Sequence, residues 1–389
     1  MYETITIVKK GAKRLRGGHP WAFRGEISAA SPDIVPGSVV KAIDELGYLI
    51  GLGFYNAKTL ITFRLITRQD EVIDRTFWKR RLERALSLRR QVLDPQDDTG
   101  RMVHAEADGI PGLIADRYGS VLVVQLLTAG IERERAQWID LLREVYQPHA
   151  ILARNDQKPR ELEGLIQEKV ALYGEVPSEL IVKENGIRLI VDPWNGQKTG
   201  AFLDQRENRV AIRPFAKGKV LDAFCYQGWF ALHCAPTAEK VIALDGSAPA
   251  VEMVRRNATL NGFENIVAVQ ENVFDYLYAA DKRGDRFDTI LLDPPAFAKS
   301  KDSIEAGVKG YKEINLRAMR LLPEGGILVT SSCSYHLSEE RFLTVVEEAA
   351  RDGGRQIQVL EKRTQGKDHP LLLTHPESYY LKCFILRVL

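Results

Sequence analysis

From Lys219 to about residue 350, apolar runs of strand length alternate strictly with segments of helical period. "KVLDAF" leads into "QGWFALHCA", and "KVIALD" precedes a helix from Ala248 to Leu260 with Ser247 as cap, Pro249 in its first turn and Asn261-Gly262 as its stop. "NIVAVQ", "FDTILLD" and "GILVTSS" read as further strands, with helices in "VFDYLYAA", "YKEINLRAMRLL" and Ser338 to Ala350. Strands near "RQIQVLE" and "YYLKCFILRV" complete the count. Parallel neighbours need a crossover between them, so this alternation requires an α/β fold in which a parallel sheet is covered on both faces. Ligands of such sheets sit at the carboxyl ends of the strands, beside the topological switch point.

A chain of 389 residues is longer than one hydrophobic core usually serves, and its remainder differs in pattern. Residues 1–72 show short apolar runs ("TITIV", "SVVKAI", "YLIGLGFY", "LITFRLI") broken by glycine and proline, as in a small β-barrel. Residues 73–185 read as a central mixed α/β segment. It opens on a helix capped by Asp74 and closed by Asp94-Pro95, and includes a strand pair turning at Tyr118-Gly119. Residues 186–389 form the third domain. At 45% hydrophobic and 27% charged, without an apolar run of about 20 residues or a signal-peptide h-region, the chain is expected to be soluble and cytoplasmic, with no membrane partner. Cysteines 225, 234, 333 and 383 have neither C-x-x-C nor metal-ligand spacing, so no disulfide, structural zinc or other metal is expected.

The net charge of +2 excludes an indiscriminate polycation, but local clusters are basic. Lys9, Lys10, Lys13, Arg14 and Arg16 form one, close to the aromatic pair Trp21 and Phe23. Arg75, Lys79, Arg80, Arg81, Arg84, Arg89 and Arg90 form another, beside the apolar stripe of Phe77, Leu82, Ala85, Leu86 and Leu88. Each suits phosphates. A solvated helix face accounts for the second equally well.

Three acidic residues close strands: Asp222 before "AFCYQGWF", Asp245 in "VIALD", and Asp293 in "TILLD". An acid at the end of the second strand suits a ribose diol, because a carboxylate accepts two hydroxyl protons. The first turn carries Gly228 rather than G-x-G-x-x-G, which favours a nucleoside ligand over a dinucleotide. Helix capping is the alternative role for Asp245. In "LLDPPAF", Pro294 and Pro295 remove two donors and stiffen the turn, leaving Asp293 and nearby carbonyls as rigid acceptors for a planar, amino-bearing base. Phe297 either stacks on that base or is buried. In "TSSCSYH", Cys333 is either a small strand-end residue or a nucleophile.

With these motifs the chain resembles class I S-adenosylmethionine (SAM) methyltransferases, and more narrowly the 23S rRNA 5-methylcytosine methyltransferases of the RlmI type. The resemblance spans nearly the whole chain, through "GGHPWAF", "HAEADGIPGLIADRYG", "GQKTGAFLDQRENR", "VLDAFCYQGWF", "LLDPPAF", "GYKEINLRAM" and "SSCSYH". It implies an N-terminal PUA-like RNA-binding domain, a central α/β domain and a C-terminal Rossmann-like methyltransferase. It further implies that Asp222, Phe224 and Gly228 line the methionine side of SAM and Asp245 its ribose, with Phe202, Gln205 and Arg206 closing the pocket. Asn272 and Val273 would meet the adenine, Asn272 standing where the family usually has aspartate and accepting through its carbonyl. Asp293 would serve both cofactor and chemistry. Pro294, Pro295 and Phe297 would meet the target base, and Lys13, Arg14, Arg16 and Trp21 the RNA.

The resemblance also gives Cys333 a reaction. Carbon 5 of cytosine is too poor a nucleophile to take a methyl group directly, so a thiolate first adds at carbon 6. Many related enzymes carry another cysteine just after the proline turn, where this chain has Ala296. Asp293 would hold the N3 proton, and His336 is a candidate for removing the C5 proton. Two competing readings are methylation of an amino group, such as N2 of guanine in rRNA, and a non-catalytic ribosome-assembly factor that retains SAM. The expected partner is large-subunit rRNA, and a homodimer stays open.

Overall fold

The computed structural model describes residues 2–298 and 301–389. The chain packs as two compact units, one of residues 1–182, 191–203 and 367–378, the other of residues 183–190, 204–366 and 379–389. The N-terminal barrel and the central segment expected from sequence therefore lie within one unit, which two later stretches of chain join.

In the first unit, strands β1 (Glu3–Ile7), β2 (Trp21–Ala22), β3 (Ile27–Ala29), β4 (Val39–Asp44), β5 (Leu49–Tyr55) and β6 (Phe63–Thr67) form a six-stranded sheet of order β2-β6-β5-β4-β1-β3. Alternate residues of β4 are buried, as a sheet with one face on a core demands. Helix α1 (Lys9–Arg16) interrupts the strands. Its five basic residues and Gly11 give a weak intrinsic helix, held by the burial of Gly11, Ala12 and Leu15. A Cβ on Gly11 would come within 2.8 Å of Ile7 Cγ2, so glycine permits that approach.

Helix α2 (Arg75–Val92) begins where Asp74 accepts the Phe77 N–H at 2.8 Å. It covers a second sheet, order β11-β10-β9-β8-β7, of strands β7 (Thr99–His104), β8 (Leu113–Tyr118), β9 (Val121–Leu126), β10 (Ala150–Arg154) and β11 (Lys169–Tyr173). Helices α3 (Ala129–Arg133), α4 (Arg135–Tyr146) and α5 (Pro159–Leu162) fill the connections. Gly119, at φ +61°, makes the turn between β8 and β9. Phe54 and Ile66 of the first sheet share one core with Phe77, Trp78 and Leu82 of α2 and with Val103, Leu122 and Ile151.

The returning stretches are bonded in. Arg154 donates to the carbonyls of Pro193 and Gly196 at 2.9 and 3.0 Å, and the Ala201 N–H donates to the Tyr118 hydroxyl at 3.1 Å. The Asp368 carbonyl accepts from Arg89 at 2.8 Å, and its carboxylate accepts the Arg101 N–H at 2.8 Å.

Strands β12 (Leu180–Glu184) and β13 (Ile187–Val191) form a ribbon, most of which belongs to the second unit. There, helix α6 (Arg206–Ile212) precedes a seven-stranded sheet of β14 (Lys219–Ala223), β15 (Lys240–Asp245), β16 (Ile266–Gln270), β17 (Thr289–Leu292), β18 (Ile327–Ser332), β19 (Ile357–Arg363) and β20 (Lys382–Val388). Its order is β16-β15-β14-β17-β18-β20-β19, with β20 antiparallel to both neighbours and the other pairings parallel. Helices α7 (Trp229–Cys234), α8 (Ala248–Asn261), α9 (Val273–Arg283), α10 (Ile304–Leu321) and α11 (Glu339–Asp352) alternate with the strands. Val220 and Leu291 face one core cluster, whereas Leu221, Ile290 and Leu292 face another, so the sheet is buried on both sides. The order reverses between β14 and β17, which puts the switch point at their carboxyl ends.

Candidate active site

Asp222, Asp245, Asp293 and Cys333 all lie at or just beyond the carboxyl ends of adjoining parallel strands: β14, β15, β17 and β18. Asp222 is fully buried, one carboxylate oxygen accepts the Ala231 N–H at 2.9 Å, and the other has no hydrogen-bond partner. Burial pushes its carboxyl well above the usual carboxylate range, and the nearby charges of Asp293 and Asp245 push the same way. Three mutually repelling carboxylates, one with an orphaned oxygen, make a site suited to a cationic ligand.

The loop after β14 is shaped by its backbone. Phe224 and Tyr226 have φ of +64° and +49°, and Gly228 has φ +78° at the start of α7. Non-glycine residues in this region carry strain of order 1–3 kcal/mol each and persist only where surrounding contacts hold them. Asp245 supplies one such contact, accepting the Tyr226 N–H at 2.9 Å with one oxygen, while its other oxygen accepts the Ser247 N–H at the start of α8, also at 2.9 Å. It therefore braces the loop, and each oxygen keeps a lone pair for further donors. A Cβ on Gly228 would come within 3.0 Å of Val254.

Asn272 does not offer its carbonyl as expected. That oxygen caps α9 by accepting from the Phe274 and Asp275 N–H groups at 2.9 and 3.3 Å, so the amide N–H group is the part suited to a ring nitrogen. Val273, next in the chain, is buried in the core. Phe297 joins Phe224, Phe274 and Tyr311 in an aromatic cluster with centroid separations of 4.8–6.2 Å to its three neighbours, which favours the packing role for its ring.

Gln205 donates to Asp293 at 2.8 Å, tying the segment before α6 to the proline turn. Arg206 is drawn elsewhere, because it and Arg209 surround buried Glu184 at 3.5 and 2.7 Å. Phe202 belongs to the first unit, with the Lys198 ammonium over its ring at 4.6 Å.

Cys333 is the one cysteine of the four that is not buried. Its sulfur faces the Pro294 carbonyl at 4.0 Å, beside Asp293, while Pro294 is buried and Pro295 exposed. Burial pushes the thiols of Cys225 and Cys234 well up, and that of Cys383 to about 12. The next residue, Ser334, anchors the turn: its hydroxyl accepts the Ala298 N–H at 3.2 Å and lies 2.9 Å from the Tyr311 hydroxyl. The Ser334 carbonyl receives a residue that sequence reading missed. Buried Lys382, opposite Ser332 in the antiparallel register, donates to it at 2.7 Å and to the Tyr380 carbonyl at 3.0 Å. Burial lowers the Lys382 ammonium to about 8, against the opposing pull of Cys333 and Glu339. His336 touches the ring of Tyr335 with centroids 5.1 Å apart.

The expected RNA contacts on the first unit are more committed than their sequence suggests. Arg14 pairs with Glu26 and stacks on Phe23, and Arg16 pairs with Asp44 at 2.6 Å. Trp21 donates to Glu106 at 2.8 Å and packs on His375. Lys13 is exposed.

A doubly covered parallel sheet with an antiparallel penultimate strand, and acids at the ends of its first, second and fourth strands, defines a class I methyltransferase. Residues 166–372 match the model of S-adenosylmethionine-dependent methyltransferases and residues 5–68 that of PUA-like domains. Over the full length of both chains, the sequence is 39% identical to ribosomal RNA large subunit methyltransferase I of Aeromonas hydrophila and 40% identical to that of Tolumonas auensis. The Escherichia coli O127:H6 protein of that name is 37% identical over 99% of each chain. Among solved structures, SMU.776 in complex with SAH is similar in fold, with a TM-score of 0.85 at 20% identity, covering 99% of this chain and 100% of that one. The chain belongs to the ribosomal RNA large subunit methyltransferase I family of SAM-dependent methyltransferases. Among the described residues no helix is long and apolar enough to cross a membrane.

Proposed function

We propose that this protein methylates carbon 5 of a cytosine in large-subunit rRNA through a covalent adduct on Cys333. The observation that carries the reading is the placement of the partly exposed Cys333 sulfur against the Pro294 carbonyl, beside Asp293, at neighbouring strand ends. The names of the full-length relatives supply the substrate class.

The residues present fit SAM. Asp222, with its orphaned buried oxygen, suits the cationic methionine end, and Asp245 has lone pairs for the ribose hydroxyls. Phe224 and Gly228 shape the intervening loop, and Asn272 and Val273 flank the adenine. When bound, SAM supplies an electrophilic methyl group that the activated cytosine carbon takes up.

The chain's own part starts with the thiolate of Cys333, which forms a bond to C6 and pushes the ring electrons toward C5. Asp293 holds the proton at N3, so that negative charge does not build on the ring. Lys382 fixes the Cys333–Ser334 turn and sets a positive charge near the thiolate, favouring ionisation. Release reverses the addition: a base takes the C5 proton, the C5–C6 double bond re-forms and the sulfur departs.

The test is an rRNA transcript carrying 5-fluorocytidine. Fluorine cannot leave as the proton does, so the transcript should be methylated once and stay attached to the protein. Attachment and methylation of normal rRNA should both vanish in Cys333→Ala, while Cys234→Ala, altered only in the core, should keep both. If Cys333→Ala methylates rRNA at the parent rate, the thiolate mechanism is wrong. Methylation of an amino group at Asp293 would then be the better account.

A further inference from the structure

Resting on rRNA being the substrate, we propose that a basic cleft between α2 and the end of β6, in the unit that does not carry the methyl-transfer site, is a second RNA contact that grasps the sugar–phosphate backbone. The cleft lies wholly within the first unit and has a volume of about 860 Å³. Arg68, Arg80, Arg81 and Arg84 line it, and among the described residues none of the four has a carboxylate in ion-pair range.

The carboxylates that share the lining are engaged. Glu106 is held by Arg64 and by the Trp21 indole, at 3.1 and 2.8 Å. Asp108 pairs with Arg89 at 2.6 Å, and Glu71 accepts from the Thr67 hydroxyl at 2.7 Å. Glu71 keeps its charge, but one uncompensated carboxylate against four guanidinium groups leaves the surplus cationic.

Arg81 shows that the cleft is built for this charge. Its guanidinium donates to two neutral carbonyls, Gly109 and Ile66, each at 2.9 Å, and lies 4.6 Å over the Phe77 ring. Gly109 makes that seat: it has φ +71°, and a Cβ there would fall 1.9 Å from the guanidinium. Burial, with Arg84 and Arg80 nearby, lowers Arg81 to about 10 against the opposing attraction of Glu71. A half-buried cation whose hydrogen bonds go only to neutral acceptors, with Glu71 as its one attracting carboxylate against two repelling arginines, raises the free energy of the empty cleft, and an arriving anion relieves it.

The spacing selects a chain of anions over a single one. Arg80 and Arg84 are one helical turn apart, about 5–6 Å between Cβ atoms, which lets them reach successive phosphates of one strand. Phe77 is buried beneath the arginines and presents no stacking face, so contact to phosphate, without base readout, is expected.

The test uses the full chain and transcribed 23S rRNA, with affinity measured across a salt series. Replacing both exposed residues, Arg80→Ala with Arg84→Ala, should weaken binding roughly tenfold or more and reduce the salt slope by about two, close to one per lost phosphate contact. SAM affinity should hold. Arg90→Ala, on the same helix outside the cleft, should change the slope by less than half as much as the pair. An unchanged slope in the double variant overturns the proposal, as does an equal loss in Arg90→Ala, which would indicate diffuse helix charge. Binding of inorganic tripolyphosphate with rRNA affinity indifferent to the pair would make this a small-anion site and also overturn it. Mapping the methylated atom separates the two proposals. A product other than 5-methylcytosine rejects the chemistry but leaves the cleft result standing.

Discussion

Lys382 and Cys333 are 49 positions apart in sequence, yet the ammonium of one braces the turn that carries the other. Lys382 is charged below about pH 8, so its help in ionising the thiol operates there and fades as pH rises through that value. In Lys382→Met the pH profile for alkylation of Cys333 should move to higher pH. Methyl transfer should fall at neutral pH and partly recover in alkali, while SAM affinity is retained. Superimposable alkylation profiles would reduce Lys382 to packing. The sequence singles out Cys333 because a lone cysteine follows a strand that ends in the expected cleft. It could not single out Lys382, since that residue becomes significant only through the antiparallel register of β20 on β18. Asp245 shows a related limit: its strand-end position is legible, but one of the two backbone donors it already serves, the Tyr226 N–H, belongs to a left-handed loop that no periodicity announces.

Elements with a local signal are the legible ones. Ser247, Asp74 and Ser338 each accept a backbone N–H at the helix starts expected of them, because capping is a property of a few consecutive residues. Helix α1 is missed, since its stability comes from what Gly11, Ala12 and Leu15 pack against. Helix α10 starts at Ile304, ahead of the expected Tyr311, because Gly307 and Gly310 weaken the local signal while letting the helix approach Ala298 and Phe297. The loop from Phe224 to Gly228 yields a prediction at this scale. Gly228→Ala forces alanine into a left-handed conformation against Val254, at a cost of about 1–2 kcal/mol. Calorimetry should record weaker SAM binding together with a lower Tm. Parent-like affinity would mean that the loop's shape does not matter to the cofactor.

Across the whole molecule, the boundaries drawn from sequence follow the order of the chain, whereas the compact units do not. Composition changes near residue 72, but Phe54 and Ile66 share a core with α2, so cutting there would open that core. A cut at residue 182 looks gentler and should also fail. It removes Pro193, Gly196 and Asp368, whose carbonyls accept from buried Arg154 and Arg89; Asp156 and Asp108 still pair with the two charges, but each buried donor left without its acceptor costs about 1–3 kcal/mol. A fragment of residues 1–182 should therefore melt well below the full chain and bind a hydrophobic dye, and adding back residues 191–203 and 367–378 by a linker should restore cooperative melting. Equal stability without them would show the returning stretches to be dispensable.

The same discontinuity bears on how the protein is made. Residues 367–378 leave the ribosome after the rest of the first unit, and β20, inserted between β18 and β19, follows them directly. Neither unit can finish before the other is almost entirely synthesised. The two units thus mature together, and a nascent chain halted before residue 367 would have neither complete.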